Sequence, residues 1–245
     1  MLEVLSGMTP ARAGYVLLGR AAPGQVVATA VDLALRGVLR IRRRSGTWAA
    51  APVPDRCWDS RESGLSAYEK ALLAWMVPAA HPFLLTDLDE QRVASLGPVI
   101  DRLSTELRRR RLLRRRPPWP FGVNRRSIGS TGEGADRLTP RARALSRELA
   151  TLRARLRIAP LDPRRMRSLF GYLVVFGLSN GVRMRAAPPS LVRLAAFASE
   201  WHAACADLPG WRPPPPAKRE FDPIQLDRPP LFTPGLPMGL GELGP

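Results

Sequence analysis

Histidine and cysteine are scarce in this chain of 245 residues, which holds two of each. Cys57 and Cys205 lie far apart in sequence and lack the spacing of a metal or redox site. His202 and Cys205 lie one helical turn apart, so a Cys–His pair is sterically conceivable, but no motif supplies a third orienting group. The simplest interpretation is two free thiols in a reducing compartment.

The motifs of common enzyme classes are also missing. The sequence has no P-loop, no G-x-G-x-x-G after a strand, no H-E-x-x-H and no G-x-S-x-G. Asp87, Asp89 and Glu90 lie close together, but acids at the start of a helix serve as caps, and that role accounts for them. We therefore expect a protein that is not an enzyme and has no metal or cofactor.

Long apolar runs are missing as well. The most apolar stretch, 168–182, is shorter than the roughly 20 apolar residues that span a bilayer. The first residues lack the basic and apolar regions of a signal peptide. These absences predict a cytoplasmic protein, either soluble or peripheral to a membrane.

The charge of the chain is strongly unbalanced. Lysine and arginine number 38 against 21 acids, which gives a formal net charge of +17. This excess indicates an anionic partner, which would be nucleic acid, an acidic membrane surface or an acidic protein. Only Lys70 and Lys218 are lysines, and such an imbalance is also what GC-rich coding produces. Both interpretations of the charge stay open.

The chain is organised around residues 9–51. The pattern predicts a first helix to about Leu18 and a second, mostly apolar helix over about 25–36 that ends at Gly37. Apolar residues then alternate with arginines, which predicts a hairpin with its turn at 45–46. Helix, helix and hairpin is the order of a winged helix.

A similar order follows over residues 65–116. Ser66 begins a capping box for a helix over 67–76. Thr86 is expected to cap a short helix, and one long helix is expected over 93–111 because its apolar positions keep helical spacing. The wing of this second unit would be reduced to one short strand.

The rest of the chain divides by composition. Residues 117–136 are rich in proline, glycine and serine and are predicted to be a linker, whereas 137–208 hold three helices. Residues 209–245 are rich in proline and are predicted to be a disordered tail. We therefore predict a mainly α protein with tandem winged-helix-like units (1–51 and 65–116), a C-terminal helical segment and a Pro-rich tail.

Three separated places carry recognisable motifs. They are T-P-A-R-A-G-Y with V-V-A-T-A-V-D-L-A-L-R-G-V-L-R-I at 9–41, A-Y-E-K-A-L-L with L-L-T-D-L at 67–88, and L-T-P-R-A-R-A-L with F-G-Y-L-V-V-F-G-L at 138–178. The chain resembles the cytoplasmic C-terminal part of the bacterial predicted-membrane-protein family called domain of unknown function 2207. The resemblance implies a soluble, stand-alone form that lacks the family's extracellular β-rich domain and membrane helices. It implies a fold and supplies no catalytic residues.

Arginines of the first unit are candidate binding residues. Gln25, Thr29 and Arg36 form a helix stripe that would face a nucleic-acid groove, although Asp32 within it would repel phosphate. The alternative is that this helix is buried and the fold is a scaffold. Trp48 in the wing would stack on a base or wedge between bases. The wing residues that would lie on phosphates are Arg40, Arg42, Arg43 and Arg44.

A second candidate is the densest charge in the chain, seven arginines within nine positions after the long helix. They would bind phosphates or anionic lipid headgroups without sequence readout. Trp119 and Phe121 would add apolar contact with a membrane interface. Ten further arginines over 137–167 would extend this patch or form a solvated face. The run itself comprises Arg108, Arg109, Arg110, Arg111, Arg114, Arg115 and Arg116.

Two functions follow from these patterns. The first is a non-enzymatic binding protein of winged-helix type, DNA-binding and regulatory. The alternative is a cytoplasmic protein-interaction or scaffold module peripheral to the membrane. The expected partners are nucleic acid, an anionic membrane surface or another protein, and no small-molecule cofactor is expected.

Overall fold

A computed structural model describes residues 3–53, 64–78, 81–115, 136–179, 187–206 and 208. The predicted tail, all but the last residue of the 117–136 linker, and with them Trp119 and Phe121, lie outside the described residues. The described part is mostly helical and has two small β-sheets, as predicted for a mainly α protein.

The helices are α1 (Pro10–Leu18), α2 (Pro23–Leu35), α3 (Ala67–Met76), α4 (Glu90–Ala94), α5 (Gly97–Arg109), α6 (Pro140–Ile158), α7 (Pro163–Val175) and α8 (Pro189–Ala206). The strands are β1 (Leu39–Arg44), β2 (Thr47–Pro52), β3 (Phe83–Leu84), β4 (Leu113–Arg115) and β5 (Asp136–Leu138). Single turns of 3-10 helix cover Glu3–Leu5 and Leu85–Asp87. None of the described helices combines the length and the apolar character needed to cross a bilayer.

The predicted hairpin of the first unit is confirmed. Strands β1 and β2 pair antiparallel, with Arg43 opposite Trp48 and Arg44 opposite Thr47. Ser45 and Gly46 between them both have positive φ, at 49° and 83°. Two left-handed residues in a row make the type I′ turn that matches the twist of a two-residue hairpin.

Three helices end in the same way. After α2, α5 and α7 the chain passes through one residue in the left-handed region, which is Gly37, Arg111 and Gly177 respectively. The amide of the next residue then bonds to the carbonyl five residues earlier, at 2.9, 2.9 and 2.7 Å. This is a Schellman motif, and glycine is its usual left-handed residue. Gly37 was predicted to end α2 in this way, whereas Arg111 takes the glycine position without being glycine.

The second unit corrects two predictions on its helices. The expected long helix over 93–111 is broken between α4 and α5, because Pro98 has no amide hydrogen and its ring clashes with a continuous helix before it. Thr86 lies inside a 3-10 turn and does not cap α4. Asp89 takes that role, since its carboxylate accepts the Arg92 amide at 2.6 Å.

The single strand predicted for the wing of the second unit has a partner that was not predicted. Strand β4 pairs antiparallel with β5, on the other side of the predicted linker, with Leu113 opposite Leu138. Thr139 then caps α6, and its hydroxyl accepts the Ala142 amide at 3.2 Å. Composition could not show this pairing, since the two strands have only three residues each.

The described residues of the two predicted units and the C-terminal helical segment share one hydrophobic core. Strand β3, from the second unit, extends the sheet of the first unit in the order β1-β2-β3. Helix α2 lies within the core and packs against α1, α7 and α8. This central position of α2 decides which residues around it remain open to a partner.

Candidate anion-binding surfaces

The arginines of the predicted wing in the first unit are exposed. Arg40, Arg42, Arg43 and Arg44 are all exposed, on a strand that lies at the edge of its sheet. Successive side chains of a strand alternate between faces, so Arg40, Arg42 and Arg44 share one face. Arg43 is on the other face, with its guanidinium carbon 5.9 Å from the centroid of the Trp48 ring.

Trp48 does not belong to this surface, which corrects the prediction that it stacks on a base or wedges between bases. Its side chain is only 4% exposed. The indole packs edge-to-face on Phe197 of α8, with 5.8 Å between ring centroids and an interplanar angle of 72°. Trp48 is therefore a core residue, and its indole connects strand β2 to α8.

The predicted reading stripe on α2 is likewise not exposed. Gln25 and Thr29 are buried, at 0% and 2% exposure. The Gln25 amide donates to the Arg20 carbonyl at 2.8 Å, and the Thr29 hydroxyl donates to the Gln25 carbonyl at 2.8 Å. These side chains satisfy the fold's own backbone, so the alternative of a buried α2 is the correct one.

Arg36 and Asp32 at the end of the stripe are used inside the fold. Arg36 Nη1 lies 3.1 Å from Asp32 Oδ2 and 2.6 Å from Glu69 Oε1. The other oxygen of Glu69 accepts the Ser66 amide at 2.7 Å, which completes the predicted capping box. Burial raises the pKa of Asp32, and the opposing effect of Arg36 is smaller. Burial of Gln25 and Thr29, and not repulsion between Asp32 and phosphate, is what keeps this helix from contacting bases.

A buried ion pair that sequence reasoning missed joins α1 to α5. Arg12 donates to Glu106 Oε2 from Nη2 at 2.7 Å and from Nε at 3.2 Å. Glu106 Oε1 accepts the Tyr68 amide at 2.7 Å, in the first turn of α3. Both charged side chains are only 9% exposed. The one sequence signal is that Arg12 lies in the middle of an otherwise apolar helix.

The motif residues at 9–41 and 170–178 meet each other. A Cβ added to Gly171 would lie 2.7 Å from Pro10 Cγ and 3.4 Å from Asp32 Cβ. The neighbouring Tyr172 hydroxyl donates to the Met8 carbonyl. Burial raises the pKa of Tyr172 to about 12. These residues hold α1, α2 and α7 in close contact, which is a packing role.

The second candidate surface follows α5. Arg109, Arg110, Arg111 and Arg114 are exposed, and Arg108 is half-buried. Arg110 Nη1 donates to the Gly7 carbonyl at 3.2 Å, so this residue also ties the end of α5 to the start of the chain. The Arg115 side chain and all of Arg116 lie outside what the structure describes.

A third surface was not predicted. A groove of about 320 Å³ runs beside β1 and is lined by Arg40, Arg42, Arg167 and Arg193, together with Ser190. These residues come from β1, α7 and α8, so their approach cannot be read from local sequence. None of the described residues that line it is acidic. The sequence places Arg167 only within the general basic face of 137–167 and gives no signal for Arg193.

The residues considered for catalysis have structural partners. Burial raises the pKa of the Cys205 thiol to about 11, so it is protonated at neutral pH and is a poor nucleophile. His202 Nδ1 lies 2.6 Å from the Ala198 carbonyl oxygen. Asp87, like Asp89, accepts a backbone amide, at 3.2 Å. Within the described ranges, no three side chains of His, Cys, Asp or Glu are grouped as a metal site would require.

No protein-family model, curated protein or solved structure matches the chain. The resemblance to the domain of unknown function 2207 therefore stays a prediction. The candidate binding residues are therefore exposed side chains, among them the arginines of the β1–β2 hairpin, those after α5 and those beside the groove.

Proposed function

We propose that the protein is a non-enzymatic nucleic-acid-binding protein of tandem winged-helix type, which contacts the phosphate backbone through its wing arginines. The observation that carries this proposal is the exposed edge strand with Arg40, Arg42 and Arg44 on one face. No described carboxylate forms an ion pair with any of these three side chains. Unpaired guanidinium groups in a row suit the regularly spaced phosphates of a nucleic acid.

The likeness between the two units supports the tandem arrangement. In each unit, a helix ends in a Schellman motif and leads at once into a two-stranded wing, from α2 into β1-β2 and from α5 into β4-β5. In each unit, exposed arginines follow the helix end. The same local arrangement therefore occurs twice, and it gives two basic wings on the same core.

The buried α2 determines the mode of contact. A winged helix that reads sequence places polar side chains of one helix in the major groove. Gln25 and Thr29 cannot do so here, because both are buried and bonded to backbone groups. Binding through the wings would therefore position the protein on phosphates without base readout. We expect little preference among duplex sequences and a strong dependence on salt.

Fluorescence anisotropy with a duplex of random sequence, at several salt concentrations, tests the proposal. Each phosphate contact adds about 0.9 to the slope of log K against log salt, so Arg40→Ser/Arg42→Ser/Arg44→Ser should lower the slope by about 3. The matched control, Arg147→Ser/Arg153→Ser/Arg157→Ser, removes the same charge from exposed positions of α6. An equal loss in both variants would show that net charge alone matters and would refute the wing surface. Absence of binding at micromolar protein and low salt would refute the function.

The alternative function is a protein-interaction or scaffold module, peripheral to an anionic membrane. The buried α2 favours it, because the helix expected to read bases serves the core. The surface for lipid would be the exposed arginines after α5, at a helix end where cations are favourable. Co-sedimentation with phosphatidylserine vesicles should be lost in Arg109→Ser/Arg111→Ser/Arg114→Ser and retained in the α6 control variant. Sedimentation that survives the first substitution would exclude this surface.

A further inference from the structure

We propose that the groove beside β1 binds a small phosphate monoester whose organic part is apolar. This ligand goes beyond the proposed contact with nucleic acid, because the groove recruits Arg167 from α7 and Arg193 from α8, which are not part of the wing. Its volume of about 320 Å³ suits a small ligand. The sequence predicted no such site.

The charge of the groove selects an anion. Arg40, Arg42, Arg167 and Arg193 contribute to its lining, and all four side chains are exposed. No described carboxylate forms an ion pair with them. Guanidinium groups present paired donors that match the oxygens of a phosphate. Several of them around one cavity, with no acid among its described lining residues, favour a group of more than one negative charge.

Helix α8 also favours an anion in the groove. Ser190 stands in the first turn of the helix, where the positive end of the helix dipole favours an anion. Arg193 and Leu194 follow at three and four residues, so all three residues lie on one face of α8. This face lines the groove. The hydroxyl of Ser190 and the guanidinium of Arg193 can therefore bind the same ligand.

The apolar part of the lining selects the rest of the ligand. Ala34 and Leu35 at the end of α2, Leu39 and Ile41 of β1, and Leu194 of α8 contribute apolar surface to the same groove. A free inorganic phosphate would leave this surface uncovered. A monoester with an apolar body would cover it and keep its dianion among the arginines, which is why we expect it to bind more tightly than phosphate alone.

One residue of the lining carries an unsatisfied donor. Trp48 contributes to the lining, and the Nε1–H of its side chain is buried without any hydrogen-bond partner among the described residues. A buried donor left unpaired is unfavourable, and native structures rarely keep one without a function or a bound molecule. An oxygen of the ligand, or a water molecule held by it, would satisfy this group after a small shift of the surrounding side chains.

Titration with phenyl phosphate, followed by the NMR signals of ¹⁵N-labelled full-length protein, tests the proposal. Phenyl phosphate should shift the indole Nε1–H signal of Trp48 and bind about tenfold more tightly than inorganic phosphate, since the ring adds apolar burial. Phenol, which has the same ring without the anion, should not bind. Arg193→Ser and Arg167→Ser should each weaken binding of phenyl phosphate about tenfold, and Arg153→Ser on α6 should leave it unchanged.

Several results would overturn the inference. Phenol binding as tightly as phenyl phosphate would make the site apolar only, and inorganic phosphate binding as tightly would leave the apolar lining without a role. Equal losses in Arg193→Ser and Arg153→Ser would reduce the effect to net charge. No binding of any probe would exclude the site. Anisotropy with duplex DNA on the same variants separates the two proposals, because Arg193→Ser should keep the salt slope of the wild type.

Discussion

Removing the carboxylate of Glu106 is expected to destabilise the protein severely. The substitution Glu106→Ala leaves the Arg12 guanidinium buried without its partner, where it now donates at 2.7 and 3.2 Å. It also removes the acceptor of the Tyr68 amide at 2.7 Å. The side chains of the pair are each 9% exposed, so water cannot easily replace the lost contacts.

The magnitude follows from these contacts. Breaking a buried ion pair by removing one partner typically costs about 3–5 kcal/mol, because an uncompensated charge remains in the core. An unpaired buried amide adds about 1–3 kcal/mol if nothing else reaches it. A domain with a free energy of unfolding of about 5–15 kcal/mol would lose a large part of it. Replacing both partners, as in Arg12→Met/Glu106→Leu, should recover part of that loss, because no unpaired charge is left.

Urea unfolding followed by tryptophan fluorescence measures the effect. The matched control is Arg165→Ala, which breaks an ion pair of 3.4 Å between side chains that are 70% and 53% exposed. Such a surface pair is worth about 0–1 kcal/mol, so the control should unfold close to the wild type. If Glu106→Ala unfolds within about 1 kcal/mol of the control, the pair does not have the buried role assigned to it. A double variant less stable than Glu106→Ala would also contradict the reasoning.

Three further predictions concern single positions. Gly14→Ala should lower the free energy of unfolding by about 1–3 kcal/mol in urea, because its new Cβ would lie 2.2 Å from Val175 Cγ2 and the core would have to shift; an unchanged unfolding midpoint would contradict the tight approach of α1 to α7. Arg111→Gly should raise the free energy of unfolding by up to about 1 kcal/mol, and with it the thermal midpoint, because the residue has φ of 59° at the left-handed position of a helix end. A lower midpoint would show that the Arg111 side chain outweighs the backbone strain. Asp32→Asn should be more stable than the wild type at neutral pH, because burial raises the pKa of Asp32 and the charged form is therefore disfavoured in the folded state. That advantage should shrink as the pH falls and disappear in unfolding curves well below pH 3.8, where the carboxyl is protonated in both states; an advantage independent of pH would refute the assignment.

Local signals predicted the helices and the first hairpin well. Gly37 and the 45–46 turn were identified because left-handed backbone favours glycine, so the residue type itself indicates the conformation. The capping box of Ser66 and Glu69 was identified because its partners are three residues apart. The break before α5 is also a local signal, since Pro98 interrupts a helix even where the apolar spacing continues across it.

Contacts between residues far apart in the sequence could not be predicted from local patterns. Trp48 was expected at a surface because tryptophan on a basic wing suits nucleic acid, and only the docking of Phe197 from α8 shows that it is buried. The pair of Arg12 and Glu106 spans 94 residues and has no periodic pattern. The groove also depends on such contacts, since Arg193 and Arg40 line it together only because α8 packs on α2 and its Phe197 contacts Trp48. Exposure of a given arginine is thus set by tertiary packing and cannot be read from its local sequence.

The residues that carry the family resemblance and the residues proposed to bind are almost separate sets. Arg12, Asp32 and Gly171 of the motifs are engaged in an ion pair, a helix-end pair and a close helix approach. The exposed arginines lie on the edge of a sheet and after a helix end, where substitution scarcely affects the core. Proteins that share these motifs should therefore share the packing of α1, α2 and α7 while differing in the charge of their wings. A motif that specifies the core in this way predicts a fold, whereas binding of an anion depends on exposed arginines that lie mostly outside the motifs.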